Sequence, residues 1–181
     1  MYFEQAVDDS AVIRRCLAGD SAAFEQIVAR YQQVLFTVAL RMLGNEEDAR
    51  DAAQNAFLKV FEKLAAYDPR HRFFSWLYRI LVNECLNERR RPSLVRTTEP
   101  LEDDAAQCSD RDLVEAAERR RAVQRAILTL PEPYREVIVL RHFAALSYEE
   151  MSEAIGIPVK TVKSRLYSAR QQLAQRLGAW M

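Results

Sequence analysis

The chain has 181 residues, with 26 lysines and arginines against 26 acids, 49% hydrophobic residues and only four glycines. That is enough apolar material to build a core, in one ordinary domain or two small ones, and it excludes a disordered chain. The acidic start MYFEQAVDDS has no leader pattern and the longest apolar run, VLFTVAL, is too short to cross a bilayer, so a soluble, cytoplasmic protein with no membrane insertion is expected.

Abundant Ala, Leu, Glu, Arg and Gln, with few strand-like alternations, point to an all-α fold. Cys16, Cys85 and Cys108 are odd in number and never paired as CxxC, and His71 and His142 share no ligand spacing, so neither a disulfide framework nor a metal site is expected. Walker, GxGxxG and GxSxG patterns are absent, which argues against an enzyme and against a cofactor.

A first helix is expected over about 10–18, closed by Gly19. The second starts near Asp20, an N-cap residue. It carries Phe24, Ile27, Val28, Tyr31, Val34, Leu35, Val38 and Met42 at intervals of three and four, one buried face that Gly44 ends. Asn45 caps a third helix whose first turn, Glu46, Glu47 and Asp48, suits the positive end of the helix dipole. Its expected buried stripe is Ala49, Ala52, Ala53, Ala56, Phe57, Val60, Phe61 and Leu64. At about 100° per residue the opposite face gathers Glu47, Asp51, Gln54, Leu58 and Glu62. That face fits either an ordinary wet surface with one stray leucine or a docking strip for a basic helix, with Leu58 as its apolar anchor.

Asp68-Pro69 then breaks the chain, residues to about 72 form a basic loop, and a fourth helix runs from about 73 until Pro92 ends it. Trp76, Arg79, Ile80, Asn83, Asn87 and Arg90 share one sector of that helix, whereas Phe74, Leu81 and Cys85 face the other way. A Trp on an amphipathic helix is commonly core. Beside amides and arginines it can also stack on a base while its neighbours hold base edges and phosphates.

Charge is unevenly distributed. Residues 1–66 carry seven bases and ten acids, and 67–91 carry six bases and three acids. Residues 92–118 hold two bases against eight acids, and 156–181 hold five bases and no acid. The acidic stretch has two prolines and almost no apolar periodicity, so it reads as a flexible linker, 92–111, between domains at 1–91 and 112–181.

Helices are expected over about 112–128, which includes Arg119, Arg120 and Arg121, and from Pro131 to about 144. Ser147 followed by Glu150 is a capping box for a short helix to about 154; Gly156 permits a tight turn and Pro158 suits the first turn of the next helix. This is a helix-turn-helix. The second helix is expected to bury Val159, Val162, Leu166, Ala169, Leu173 and Leu177. Lys160, Thr161, Ser164, Tyr167, Ser168 and Gln171 are left outward, with Lys163 and Arg165 on the flanks, groups that read base edges and hold phosphates in the major groove. A solvated helix of a plain bundle is the competing interpretation.

These residues resemble the extracytoplasmic-function group of bacterial sigma-70-type sigma factors. AFEQIVARYQQVLFTVALRMLGNEEDARDAAQNAFLKVFEKL resembles the helices that dock on core RNA polymerase, and FFSWLYRILVNECLNERRR the promoter-melting helix. LPEPYREVIVLRHFAALSYEEMSEAIGIPVKTVKSRLYSARQQL is similar to the sigma4 pattern of the group. The resemblance implies a sigma2 and a sigma4 domain and the partners core RNA polymerase, promoter DNA and an anti-sigma factor. It places Asp48, Asp51, Gln54, Leu58 and Glu62 on a coiled coil of the largest catalytic subunit. Tyr67, His71, Arg72, Trp76, Arg79 and Asn83 fall at the minus-ten element, where a non-template base is flipped. Lys160, Thr161, Lys163, Ser164, Arg165 and Tyr167 fall at the minus-thirty-five element. The linker would thread toward the active centre and RNA exit path of the polymerase, where its acids suit a channel meant for RNA. Ser168 stands where the group usually has a basic residue, so that phosphate contact is not carried over. A regulator that binds operators as a dimer through the same helix-turn-helix, without polymerase, is the alternative; it leaves the acidic strip and the Trp76 helix unexplained.

Overall fold

The computed structural model describes residues 9–90 and 111–178. Among the described residues the structure is all-α: α1 (Ser10–Leu17), α2 (Phe24–Leu43), α3 (Glu46–Glu62), α4 (Phe73–Arg90), α5 (Arg111–Leu128), α6 (Glu132–His142), α7 (Tyr148–Ile155) and α8 (Val159–Gly178). The expected linker lies outside the described residues except for Arg111, which already belongs to α5.

Most helix ends follow local chemistry. The Asp20 carboxylate accepts from the Ala23 amide at 3.1 Å and caps a short 3-10 turn, Ser21–Ala23, that precedes α2. Asn45 accepts from the Asp48 amide at 2.9 Å and starts α3. Gly44 closes α2 in the left-handed region, φ 79°, and a Cβ there would stand 2.5 Å from Leu128 Cδ1. Only glycine meets both demands.

The N-terminal unit packs α2, α3 and α4 around Ile27, Leu35, Met42, Leu77 and Leu81. Ala49, Ala52 and Ala56 of α3 are fully or almost fully buried, and their small size lets the neighbouring helices approach closely. Each large side chain in this core contributes about 1.5–3 kcal/mol relative to exposure. Cys85 belongs to it, and burial pushes its thiol up to about 12, so it is an inert packing residue at neutral pH.

Three expectations need correction. Phe61, placed in the buried stripe of α3, is 48% exposed, because no helix covers the far edge of the α2–α3 pair. Leu173 and Leu177 of α8 are only partly covered, because α8 extends beyond the helices that bury its first half. Finally, α6 ends at His142 rather than near residue 144, and Ala145 takes φ 55° in the bend to α7.

In the C-terminal unit α6 is central, and Arg135, Glu136, Val137, Ile138, Val139 and Leu140 are all buried. It touches α8, α7 and α5 and also α2, so the two units share a boundary rather than merely a tether. The Arg135 guanidinium reaches across that boundary, donating to the Met42 carbonyl at 2.9 Å, to Leu130 at 3.1 Å and to the Leu128 carbonyl. Burial lowers it to about 10, so it stays charged at neutral pH. Arg41 donates to the buried Gln124 side chain at 2.7 Å, and Gln124 in turn donates to the Leu40 carbonyl at 3.2 Å. The Met42 carbonyl at the end of α2, and the Leu40 carbonyl, which also accepts from the Gly44 amide at 2.8 Å, thus receive donors from the other unit.

Candidate nucleic-acid and partner interfaces

The helix-turn-helix is built by the predicted capping box. The Ser147 hydroxyl accepts from the Glu150 amide at 3.1 Å, and the Glu150 carboxylate accepts from the Ser147 amide at 2.7 Å. Gly156, at φ 68°, makes the turn, and the Ser152 hydroxyl ties it by donating to the Ile157 carbonyl at 2.5 Å. Packing of Val162, Leu166 and Ala169 into the core fixes the rotation of α8. Lys160, Lys163, Ser164 and Tyr167 therefore project outward, Tyr167 at 65% exposure, while Thr161 and Arg165 are half-buried. Lys163 sits over the Tyr148 ring, 5.3 Å from its centroid, and Gln171 donates to the Tyr167 hydroxyl at 2.9 Å. Arg165 also faces the buried Glu136, whose carboxyl burial raises and whose charge Arg165 favours. The face offers cations, hydroxyls and an aromatic ring on a helix that can enter a major groove.

The second basic face sits on α4 and the loop before it. Tyr67, Phe73 and Trp76 cluster with ring centroids 5.4–5.9 Å apart. The Tyr67 hydroxyl donates to the His71 carbonyl at 2.6 Å, folding the loop back on itself. Arg70 clamps Asp68 and holds its carboxyl down at about 2. Trp76 is neither core nor free: it is half-buried against Tyr67 and Phe73 and lines a cavity of about 330 Å³ with Tyr67, Asp68, His71, Ser75 and Arg79. Ser152, Glu153 and Gly156, on α7 and its turn, line its other side. Asn83 is exposed two turns further along α4, about 10 Å from Trp76 at 1.5 Å per residue. Asp68 belongs to the loop that the resemblance places at the minus-ten element, whereas Ser75 carries no such expectation. Ser75 is 1% exposed and its hydroxyl has no hydrogen-bond partner, although it borders the cavity. Its place on the buried side of the helical wheel hid it.

The third face is on α3. Asp51, Gln54, Leu58 and Glu62 are exposed, Leu58 at 54%, and Asp48 is half-buried at the helix start. Beside Leu58 runs an apolar groove of about 520 Å³ between α2 and α3, lined by Phe24, Val28, Phe36, Phe57 and Phe61, with Phe24 and Phe61 meeting edge to face at 5.1 Å. Phe24, Phe57 and Phe61 have the spacing of core residues, and Phe36 falls outside the expected buried face. The signal that separates them is width: a stripe running from Ala49 through Phe57, Leu58 and Phe61 is broader than one neighbouring helix can cover. Carboxylates beside an uncovered apolar groove favour a docking strip over a wet surface.

Comparison with known proteins identifies the family of the chain. The family described as Sigma-70 region 2 matches residues 27–94, and Sigma-70, region 4 matches residues 120–173. The chain is 35% identical over 176 residues to the ECF RNA polymerase sigma factor SigW of Bacillus subtilis (strain 168), covering 91% of this chain and 94% of that one. It is 33% identical over 184 residues to the ECF RNA polymerase sigma-E factor of Escherichia coli (strain K12), covering 96% of each. The solved structure of CnrH in complex with the cytosolic domain of CnrY matches with a TM-score of 0.74 at 28% identity, over 97% of this chain and 99% of that one. The whole of α3 and of α4 fall inside region 2, and α7 with α8 as far as residue 173 falls inside region 4. The chain belongs to the extracytoplasmic-function (ECF) sigma factors of the sigma-70 family.

Proposed function

We propose that the chain binds core RNA polymerase through α3, reads a minus-thirty-five element with α8 and opens the minus-ten element with α4 and its preceding loop, with 1–91 and 112–181 as its working domains. The observation that carries this reading is the acidic strip of Asp51, Gln54, Leu58 and Glu62 beside an apolar groove, on the same unit as the aromatic cluster of Tyr67, Phe73 and Trp76 with Arg79 beside it. A dimeric operator-binding protein has no use for either. A basic helix of the largest polymerase subunit would place cations on the carboxylates and an apolar side chain beside Leu58. An anti-sigma factor, the partner that the group implies, would then act by covering one of these faces.

Promoter opening needs no nucleotide hydrolysis on this account. Unstacking one base costs a few kcal/mol, and a cavity that holds the flipped base against Trp76 offsets that cost and nucleates melting. Adding the purified chain to sigma-free core polymerase is expected to produce initiation at defined start sites. No specific initiation, together with tight dimeric binding to duplex DNA by the chain alone, would replace this reading with the operator-binding one.

Two further outcomes are expected. Lys163→Ala or Ser164→Ala weakens transcription through the upstream element by about 1–3 kcal/mol, the range of a good base contact. Competition among upstream sequences measures it, and an unchanged preference removes these residues as readers. Asn83→Ala slows promoter opening, and a promoter with a pre-melted minus-ten bubble restores the rate. A defect that the bubble leaves intact contradicts a role in melting.

A further inference from the structure

Asp9 stands where a capping side chain is expected, one residue before α1, yet its carboxylate makes no bond to the first amides of that helix. Its backbone is near-helical, φ −70° and ψ −11°, rather than the extended geometry that a capping residue adopts. The side chain turns inward instead, at 5% exposure, and accepts two donors from α2. The Tyr31 hydroxyl bonds to Oδ2 at 2.7 Å, and the Arg30 guanidinium takes Oδ1. A carboxylate buried this deeply needs such partners. Burial, together with the Asp9 charge, raises the Tyr31 hydroxyl, so it keeps the proton it donates. The Tyr31 ring leads in turn into the aromatic cluster at the start of α4. Its centroid lies 6.1 Å from that of Phe73, a buried ring that stands 5.4 Å from Tyr67 and 5.9 Å from Trp76. The helix α1 also packs on the 3-10 turn Leu64–Ala66, which delivers Tyr67.

We propose that α1 is a positioning element for the base-holding cluster: the buried Asp9 carboxylate fixes Tyr31, Tyr31 backs Phe73, and Phe73 sets the angle between the Tyr67 and Trp76 rings that a flipped minus-ten base enters. This rests on the minus-ten role given to the cluster above. Ring pairs hold one another through shallow, offset contacts, so a pocket built of rings alone has no single geometry. A base gains from stacking only where it meets a ring face to face, so the angle of the receiving rings decides the gain. Charge-assisted hydrogen bonds supply the direction that ring packing lacks. Arg30 and Tyr31 take one oxygen of Asp9 each, so the carboxylate plane, and with it the Tyr31 ring, is held at two points. A phenylalanine at residue 31 would make the same ring contact with Phe73; the hydroxyl serves the anchor alone.

The test uses the holoenzyme formed with core RNA polymerase. The probe is a fluorescent single strand carrying the non-template minus-ten sequence of a promoter from which that holoenzyme initiates, read by anisotropy. It is compared with versions that hold one abasic site, moved along the element base by base. For the unaltered chain one position is expected to cost about five-fold or more in affinity, the lower end of the range for stacking a base on an aromatic ring. With Tyr31→Phe, which removes only the hydroxyl, and with Asp9→Ala, the same abasic site is expected to cost about two-fold or less, because a base on misaligned rings contributes little. Val38→Ala truncates a fully buried side chain two turns further along α2 and should keep the whole abasic penalty, which separates positioning from a general loss of stability. An undiminished penalty in either Tyr31→Phe or Asp9→Ala overturns the proposal, as does a Val38→Ala penalty that shrinks as far as theirs. Should Asp9→Ala fail to fold, Tyr31→Phe decides, since it preserves the ring packing. If the unaltered chain supports no initiation, or loses nothing at any abasic position, the base-holding role of the cluster falls and the proposal with it. If one position matters and the variants keep its full penalty, only α1 as positioning element is lost.

Discussion

Asp51→Arg is expected to abolish assembly with core RNA polymerase while leaving the fold intact. Asp51 is exposed on α3 between Asp48 and Gln54, two turns from Leu58, so a reversed charge meets solvent in the free chain and a cationic helix in the complex. Juxtaposed like charges at an interface cost several kcal/mol, so binding should fall on the order of 100-fold or more. The thermal midpoint should barely move, since exposed substitutions away from caps and ion pairs usually stay within about 0.5 kcal/mol. Size-exclusion chromatography with core polymerase gives the first quantity and a melting curve the second. Normal holoenzyme formation by the variant would remove α3 as the docking element.

Arg135→Ala is expected to give a large loss of stability, comparable to truncating a buried leucine in the C-terminal unit. The guanidinium is 5% exposed and serves three carbonyls, at the ends of α2 and α5 and in the turn before α6, with no carboxylate bonded to it. Truncation leaves these acceptors buried and unpaired at on the order of 1 kcal/mol or more each, about 3 kcal/mol together. For a chain of this size that lowers the melting temperature by roughly 6–12 °C. Arg135→Lys should fall between the two, because an ammonium is a point donor that cannot span three divergent carbonyls. Melting of the alanine variant within about 2 °C of the unaltered chain would show that water replaces the guanidinium and that the cradle is not structural.

The sequence by itself determined the helices and the helix-turn-helix. Asp20, Asn45 and Ser147 bond to amides three residues on, and Gly44 and Gly156 adopt the left-handed turn that ends a helix, so each boundary is decided within one turn of chain. The outward set on α8 was legible for the same reason: once Val162, Leu166 and Ala169 point inward, the 3.6-residue period leaves Lys160, Lys163, Ser164 and Tyr167 no other side. The acidic face of α3 was visible as a pattern, but not the groove beside it.

Tertiary structure decided what depends on residues far apart in the chain. Phe57 and Phe61 have the spacing of core residues, and only the lack of a helix over that edge of the α2–α3 pair leaves Phe61 exposed. The apolar run in α6 carries no direction of its own; its neighbours on several sides bury it, Arg135 included. The basic loop of Arg72 and the acids of α7, 78 residues apart, each read as solvated charge until the fold brings them to 2.6 Å. Helix ends are set by bonds between near neighbours, and burial by which surfaces meet, so the first is written locally and the second is not.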